Sequence, residues 1–214
     1  VGSVVALPQQ NVKRMLAYSS IVHSGYLLIA ALANSSLGRS ALLFYLVSYS
    51  LATFGAFAVV SAVSRPTTGR SGLTDYLGLW QVRPWLAMAM SVYMFALLGF
   101  PIFGGAGFIA KWYMLDAALS GPMRMPLVAI ALVLTSAISA GFYLYMVMAM
   151  FMKERPAEAS PVAATGLMTR LVIAGTSVAI LGIGLAASPL VQWAEQGAPV
   201  AGATEPVVAA ERDP

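Results

Sequence analysis

The chain has 214 residues, of which 59% are hydrophobic and only 9% charged, where a soluble domain carries about 25% charged residues. That deficit excludes a soluble globular protein. Twelve Lys and Arg against eight Asp and Glu give a net charge of +4, yet the basic residues stand singly or in pairs between apolar stretches and form no face for nucleic acid.

A bilayer core of about 30 Å needs about 20 apolar residues in a helix. Residues 1–10 read as the end of an apolar segment, a truncated transmembrane helix, without the basic start and small-residue cleavage site of a signal peptide. The chain therefore reads as the C-terminal part of a longer protein. Five uncharged runs of spanning length follow, at 15–37, 41–63, 85–110, 126–152 and 171–194. Backbone groups in lipid must be paired internally, and continuous apolarity without period-2 alternation selects helices over a barrel. The predicted fold is all-α, a polytopic transmembrane helical bundle with five helices over residues 11–194. A short linker is expected at 157–169. Residues 195–214, which are poor in large apolar side chains and hold four of the eight acids, are predicted to form a disordered tail.

Alternate loops carry Lys13 and Arg14, then Arg65, Arg70 and Arg83, then Lys153, Arg155 and Arg170, whereas the opposite side has Arg39, Arg124 and Arg212. The positive-inside bias makes the richer side cytoplasmic and places the C-terminus outside.

The third span stays largely apolar as far as Leu119, interrupted by Lys111 and Asp116. Its 35 residues would reach about 52 Å as one helix, so the span must bend or break. The break reads as Gly99-Phe100-Pro101-Ile102-Phe103-Gly104-Gly105-Ala106-Gly107. Pro101 removes a backbone donor and clashes with the preceding turn, while the glycines weaken the helix further. Discontinuous helices persist in membranes where they line a hydrated cavity or are buried in protein. Counted back from a helix end near Ser120, Lys111 lies about 14 Å along the axis, close to the midplane. A lysine there is disfavoured by about 2.5–3.5 kcal/mol. Either it snorkels outward or pairs with Asp116, or it is a desolvated amine that accepts and releases a proton as nearby charge changes.

His23 has Ser19, Ser20 and Tyr26 at spacings that share its helix face. It is either a packed neutral imidazole or a proton relay, a role open to a side chain that titrates near neutrality. Tyr45, Ser48, Tyr49 and Thr53 mark one further polar stripe, and Thr135, Ser136, Ser139 and Tyr143 another. Such hydroxyls ordinarily hold helices together, but convergence with Lys111 and His23 would create a polar axis. With one histidine and no cysteine, neither a His-cluster metal site nor a thiolate site is possible.

Three segments resemble the antiporter-like membrane subunits of respiratory complex I and their Mrp-type relatives. They are Asn11-Val12-Lys13-Arg14-Met15-Leu16-Ala17-Tyr18-Ser19-Ser20-Ile21 with His23 and Gly25-Tyr26, then Tyr49-Ser50-Leu51-Ala52-Thr53-Phe54-Gly55-Ala56-Phe57, and Gly99-Phe100-Pro101 through Lys111-Trp112-Tyr113. Lysine followed by two aromatics is most similar to the subunit N pattern of NADH:quinone oxidoreductase. Ile102 departs from the family, which commonly has a second proline there.

The resemblance covers about residues 1–153 closely and the last helix by hydropathy alone. It implies the C-terminal half of a fourteen-helix subunit with two inverted five-helix repeats. Lys111 would be the terminal lysine of the second half-channel, and His23 would belong to the axis feeding it with Ser19, Ser20, Tyr26, Tyr49, Thr53 and Ser139. Lys13 would mark the proton entrance or snorkel at the interface, and Pro101, Gly104, Gly105 and Gly107 would form the break. The implied activity is non-redox proton translocation in a multi-pass subunit of the bacterial inner membrane, among other membrane subunits of complex I. This chain would hold no cofactor, with NADH, FMN, iron–sulfur clusters and quinone in other subunits. An Mrp-type cation/proton antiporter subunit and a structural membrane subunit without transport are the alternatives.

Overall fold

The computed structural model describes residues 1–33, 35–64, 72–101, 105–120, 124–157, 159, 162 and 164–186. The helices are α1 (Gly2–Ala6), α2 (Val12–Leu32), α3 (Ser36–Val63), α4 (Leu79–Val82), α5 (Pro84–Leu98), α6 (Ala106–Ser120), α7 (Pro126–Met152) and α8 (Leu167–Leu185), with a 3₁₀ turn at Leu73–Asp75. Four of them, α2, α3, α7 and α8, are long and apolar enough to cross a membrane. The third predicted crossing is divided between α5 and α6.

Local chemistry sets the helix boundaries more sharply than hydropathy does. Asn11 caps α2 by accepting the Arg14 N–H, and Ser35 caps α3 by accepting the Gly38 N–H. These caps start both helices earlier than the apolar runs at 15–37 and 41–63. Pro84 and Pro126 occupy the first turns of α5 and α7, where a missing N–H is harmless. Helix α8 begins at Leu167, inside the stretch expected as linker, while the part of that run beyond Ala186 and the predicted tail lie outside the described residues.

Helix α3 is central and packs against α2, α5, α6 and α8. Its buried face carries Ser40, Ala41, Phe44, Tyr45, Ser48, Ala52, Gly55, Ala56 and Val59, a mostly small-residue seam that permits close backbone approach in lipid. At Gly55 a Cβ would stand 2.2 Å from the Tyr93 ring. That ring crosses over α3 so that its hydroxyl donates to the Ile173 carbonyl at 2.8 Å and meets Thr176 and Ser177 of α8 at 2.7 and 2.8 Å. Leu28, Leu43, Phe54, Ile130, Leu134 and Val178 are exposed, as expected of side chains that face acyl chains.

The α3–α5 connection is tied back rather than left loose. The Leu73 N–H donates to the Gln10 carbonyl, Arg83 donates to the Val162 carbonyl, and Arg155 reaches the carbonyls of Asp75 and Leu77. Gly78 (φ +62°) sits so close to Arg155 that a Cβ would lie 2.7 Å from its backbone nitrogen.

Candidate functional site

The break is made by a helix cap. Gly99 adopts φ +78°, its N–H points to the carbonyls of Phe95 and Ala96, and the Phe100 N–H donates to Phe95 at 3.0 Å. This is a Schellman closure, which needs a residue tolerant of the left-handed region. Pro101 stands beyond the end of α5 and prevents resumption. Within the stretch read from the sequence as the break, Gly99 is the residue that ends α5. Gly105 (φ +53°) precedes α6, and Gly104 lies outside the described residues. Gly107 crosses the end of α5 so closely that a Cβ would meet the Ala96 carbonyl oxygen at 1.9 Å.

Closure of α5 consumes the carbonyls of Phe95 and Ala96. Those of Leu97 and Leu98 still need donors, and Lys111 supplies both, its Nζ standing 3.2 Å from the first and 2.8 Å from the second. The lysine is only 7% exposed. Its charge lies at the negative end of the α5 dipole and 5.0 Å from the centroid of the Tyr26 ring, a cation–π contact. Neither outward snorkelling nor pairing with Asp116 describes this geometry. The ammonium turns inward to backbone carbonyls, and Asp116 accepts from Ser120 instead.

His23 also meets Tyr26, with the two rings edge to face at 5.6 Å. His23 is buried, with Nδ1 hydrogen-bonded to the Tyr45 hydroxyl and Nε2 2.8 Å from the Tyr143 hydroxyl. Tyr49 lies against its face, with centroids 4.8 Å apart, and Tyr26 pairs with the Ser136 hydroxyl at 3.0 Å. Five polar rings from α2, α3 and α7 thus meet beside the lysine of α6.

The remaining expected residues divide. Ser19 is buried one turn from His23, and its hydroxyl donates to the Leu16 carbonyl. Ser139 is buried too and donates to Thr135, while Ser20 donates to Ala17. All three thus satisfy their own helices, and the Ser19 hydroxyl also lies within hydrogen-bonding reach of Tyr143. Thr53 is half-buried, two turns beyond Tyr45 on α3. Lys13 occupies the first turn of α2, 13 residues and so about 20 Å along the axis from Tyr26, away from the cluster. Sequence reading placed Tyr45 and Tyr143 in two hydroxyl stripes that ordinarily pack helices and whose convergence with Lys111 and His23 would form a polar axis. The i, i+4 pair Tyr45 and Tyr49 was a usable signal for an aromatic face, whereas the meeting of Tyr143 with His23, 120 positions apart, had none. Among the described residues no group of three or more His, Cys, Asp and Glu could hold a metal ion.

Residues 1–139 match the family model described as NADH:quinone oxidoreductase/Mrp antiporter, transmembrane. The chain is 47% identical to NADH-quinone oxidoreductase subunit N of Gemmatimonas aurantiaca, over 92% of this chain and 38% of that protein. It is 41% identical to subunit N of Chloroflexus aggregans, over 94% of this chain and 40% of the relative. It therefore spans about two fifths of their length. Among solved structures, a chain of Thermus thermophilus respiratory complex I with bound aureothin superposes with a TM-score of 0.71 at 34% identity, covering 89% of this chain and 42% of that one. A chain of the Mrp complex from a Dietzia species superposes at 0.76 with 20% identity, covering 91% and 43%, a likeness of fold alone. A polytopic helical bundle broken at a buried lysine, matched by this model over 1–139, belongs to the NADH:quinone oxidoreductase/Mrp antiporter family of membrane proteins.

Proposed function

We propose that this chain is the C-terminal half of subunit N of a bacterial NADH:quinone oxidoreductase and that it moves protons across the inner membrane. The observation that carries the reading is Lys111: a buried amine held by the Leu97 and Leu98 carbonyls at a helix break, one aromatic ring away from His23. An amine so placed can give up its proton without unfolding anything, because an NH₂ group still donates to the same carbonyls. Protons on Lys111 and His23 compete, since two cations repel strongly in a low-dielectric interior. Loading one therefore favours unloading the other, and a charge change arriving from a neighbouring subunit can drive the exchange.

In this reading quinone reduction occurs elsewhere in the complex, where NADH, FMN, iron–sulfur clusters and quinone are bound, and the partners are other membrane subunits. The loops rich in Lys and Arg face the cytoplasm and the C-terminus lies outside. Residues 1–10 end a preceding span, residues 11–194 form the transporting bundle and 195–214 the tail. Lys13 stands at the cytoplasmic entrance. The identity of 47% to a subunit N favours this over the Mrp-type alternative, for which the likeness is one of fold.

The test is Lys111→Ala and Lys111→Arg in the full-length subunit within its complex, with proton translocation measured per assembled complex. Both should fall strongly, because guanidinium keeps the charge but does not release a proton. Near-normal translocation by assembled Lys111→Ala would refute the assignment, and tolerance of Arg alone would reduce the lysine to a fixed charge.

A further inference from the structure

Helices α5 and α8 touch, yet they leave between them a groove of about 400 Å³. Helix α5 lines it with Trp85, Met88, Ala89 and Val92, residues at i, i+3, i+4 and i+7 that share one face. Helix α8 answers with the same spacing from Arg170 to Ser177. The space persists because Ala89 and Ala174, one turn along each helix, are too small to fill it. At the inner end Tyr93 joins the two helices, its hydroxyl meeting Ser177 at 2.8 Å and donating to the Ile173 carbonyl at 2.8 Å. The Ser177 hydroxyl is thus already paired, and the walls between it and the mouth are apolar.

The mouth is different. Arg170 is exposed in the first turn of α8, and among the described residues its guanidinium has no hydrogen-bond or ion-pair partner. Trp85 stands in the first turn of α5. Both residues therefore lie at one surface of the membrane, the depth at which tryptophan and arginine side chains settle.

We propose that this groove binds an anionic glycerophospholipid, with one acyl chain lying between α5 and α8 and its phosphate on Arg170. The site goes beyond the transport reading and does not depend on it. A lipid fits better than a helix of another subunit. Because α5 and α8 touch, the gap between them is narrower than a helix of about 10–12 Å, whereas an acyl chain is one methylene wide. From Trp85 to Val92 the apolar wall runs about 10 Å toward the core, with the cation at its outer end, which is the order of a phospholipid read from headgroup inward. The surrounding charge selects an anion. Arg83, Lys153 and Arg155 stand at this same end of the bundle, against Asp75 and Glu154 among the described residues, and basic pockets between spanning helices take anionic headgroups. A guanidinium also presents a fork of N–H donors that matches a phosphate. The bound chain would pack α8 onto α5 where their own side chains leave a gap.

The deciding experiment is photolabelling of the full-length subunit within its complex, reconstituted into phosphatidylcholine vesicles. These carry a trace of either phosphatidylglycerol or phosphatidylcholine with a diazirine on the acyl chain, and labelled peptides are mapped by mass spectrometry. The phosphatidylglycerol probe should label both 85–92 and 170–177, about fivefold more than the phosphatidylcholine probe, the factor that one arginine contributes at an anionic surface. Arg170→Gln should remove that preference. Ala174→Leu, which fills the groove from an exposed position, should lower labelling of 85–92 by both probes severalfold. Equal labelling by the two probes in the wild type, or a preference that survives Arg170→Gln, would reduce the groove to ordinary lipid contact and overturn the site. Absence of label from both segments in the intact complex would mean that another membrane subunit covers the groove, which overturns it equally. Should Ala174→Leu fail to assemble, Arg170→Gln, a change at an exposed side chain, decides alone. None of these readouts uses proton translocation, so the lipid site and the transport reading stand or fall separately.

Discussion

Replacing Lys111 with methionine isolates its proton chemistry from its structural work. Methionine fills a similar volume but withdraws the donor from the Leu97 and Leu98 carbonyls, which Nζ now serves at 3.2 and 2.8 Å. Leaving two such groups unsatisfied costs about 2–6 kcal/mol, at about 1–3 kcal/mol each. Removing a charge from mid-membrane returns about 2.5–3.5 kcal/mol. The two effects offset to within a few kcal/mol, so Lys111→Met should reach the membrane and join its complex in near-normal amount. Proton uptake should nevertheless collapse, since a thioether carries no proton. The assay is a paired one: complex abundance on a native gel, and uptake read from quenching of a pH-sensitive dye in inverted vesicles. Normal abundance with normal uptake would refute the role of the amine. Loss of the complex would instead show that the two carbonyls outweigh the buried charge, and that the Lys111 bonds are chiefly structural.

Three other outcomes are expected. His23→Ala should slow proton transfer with assembly retained; reduced thermal stability with normal turnover per complex would mark a packing residue. Gly107→Ala drives a Cβ to 1.9 Å from the Ala96 carbonyl oxygen, a backbone clash that no side-chain rotation relieves, and should lower the yield of assembled complex severalfold, whereas Gly25→Ala, with open space around it, should leave the yield unchanged in the same blot. Cysteines placed within 65–83 and beyond 196 in the full-length protein should be labelled from the cytoplasm and from outside respectively, and labelling of both from one side would contradict the orientation.

Much of this protein is legible in its sequence because a bilayer imposes a simple rule: long apolar runs must be helices, as no water is present to pair with any other backbone. The helices Val12–Leu32, Ser36–Val63, Pro126–Met152 and Leu167–Leu185, the divided third crossing and the isolation of Lys111 within it all follow from hydropathy and from the glycines around Pro101. The boundaries were less legible, because caps such as Asn11 and Ser35 act through single hydrogen bonds that a hydropathy average cannot register.

Tertiary structure decided what the polar residues do. The sequence offers Lys111 only Asp116, because the carbonyls it meets are present at every residue, and only the fold leaves those of Leu97 and Leu98 open at a capped helix end. Similarly, eight hydroxyl-bearing residues on two helices looked alike as stripes, but packing of α2 between α3 and α7 selects Tyr45 and Tyr143 for His23 and turns Ser139 back to its own helix. Composition and period fix where a chain must cross a membrane; which buried groups meet depends on helix rotation and depth, quantities that arise only when the helices pack.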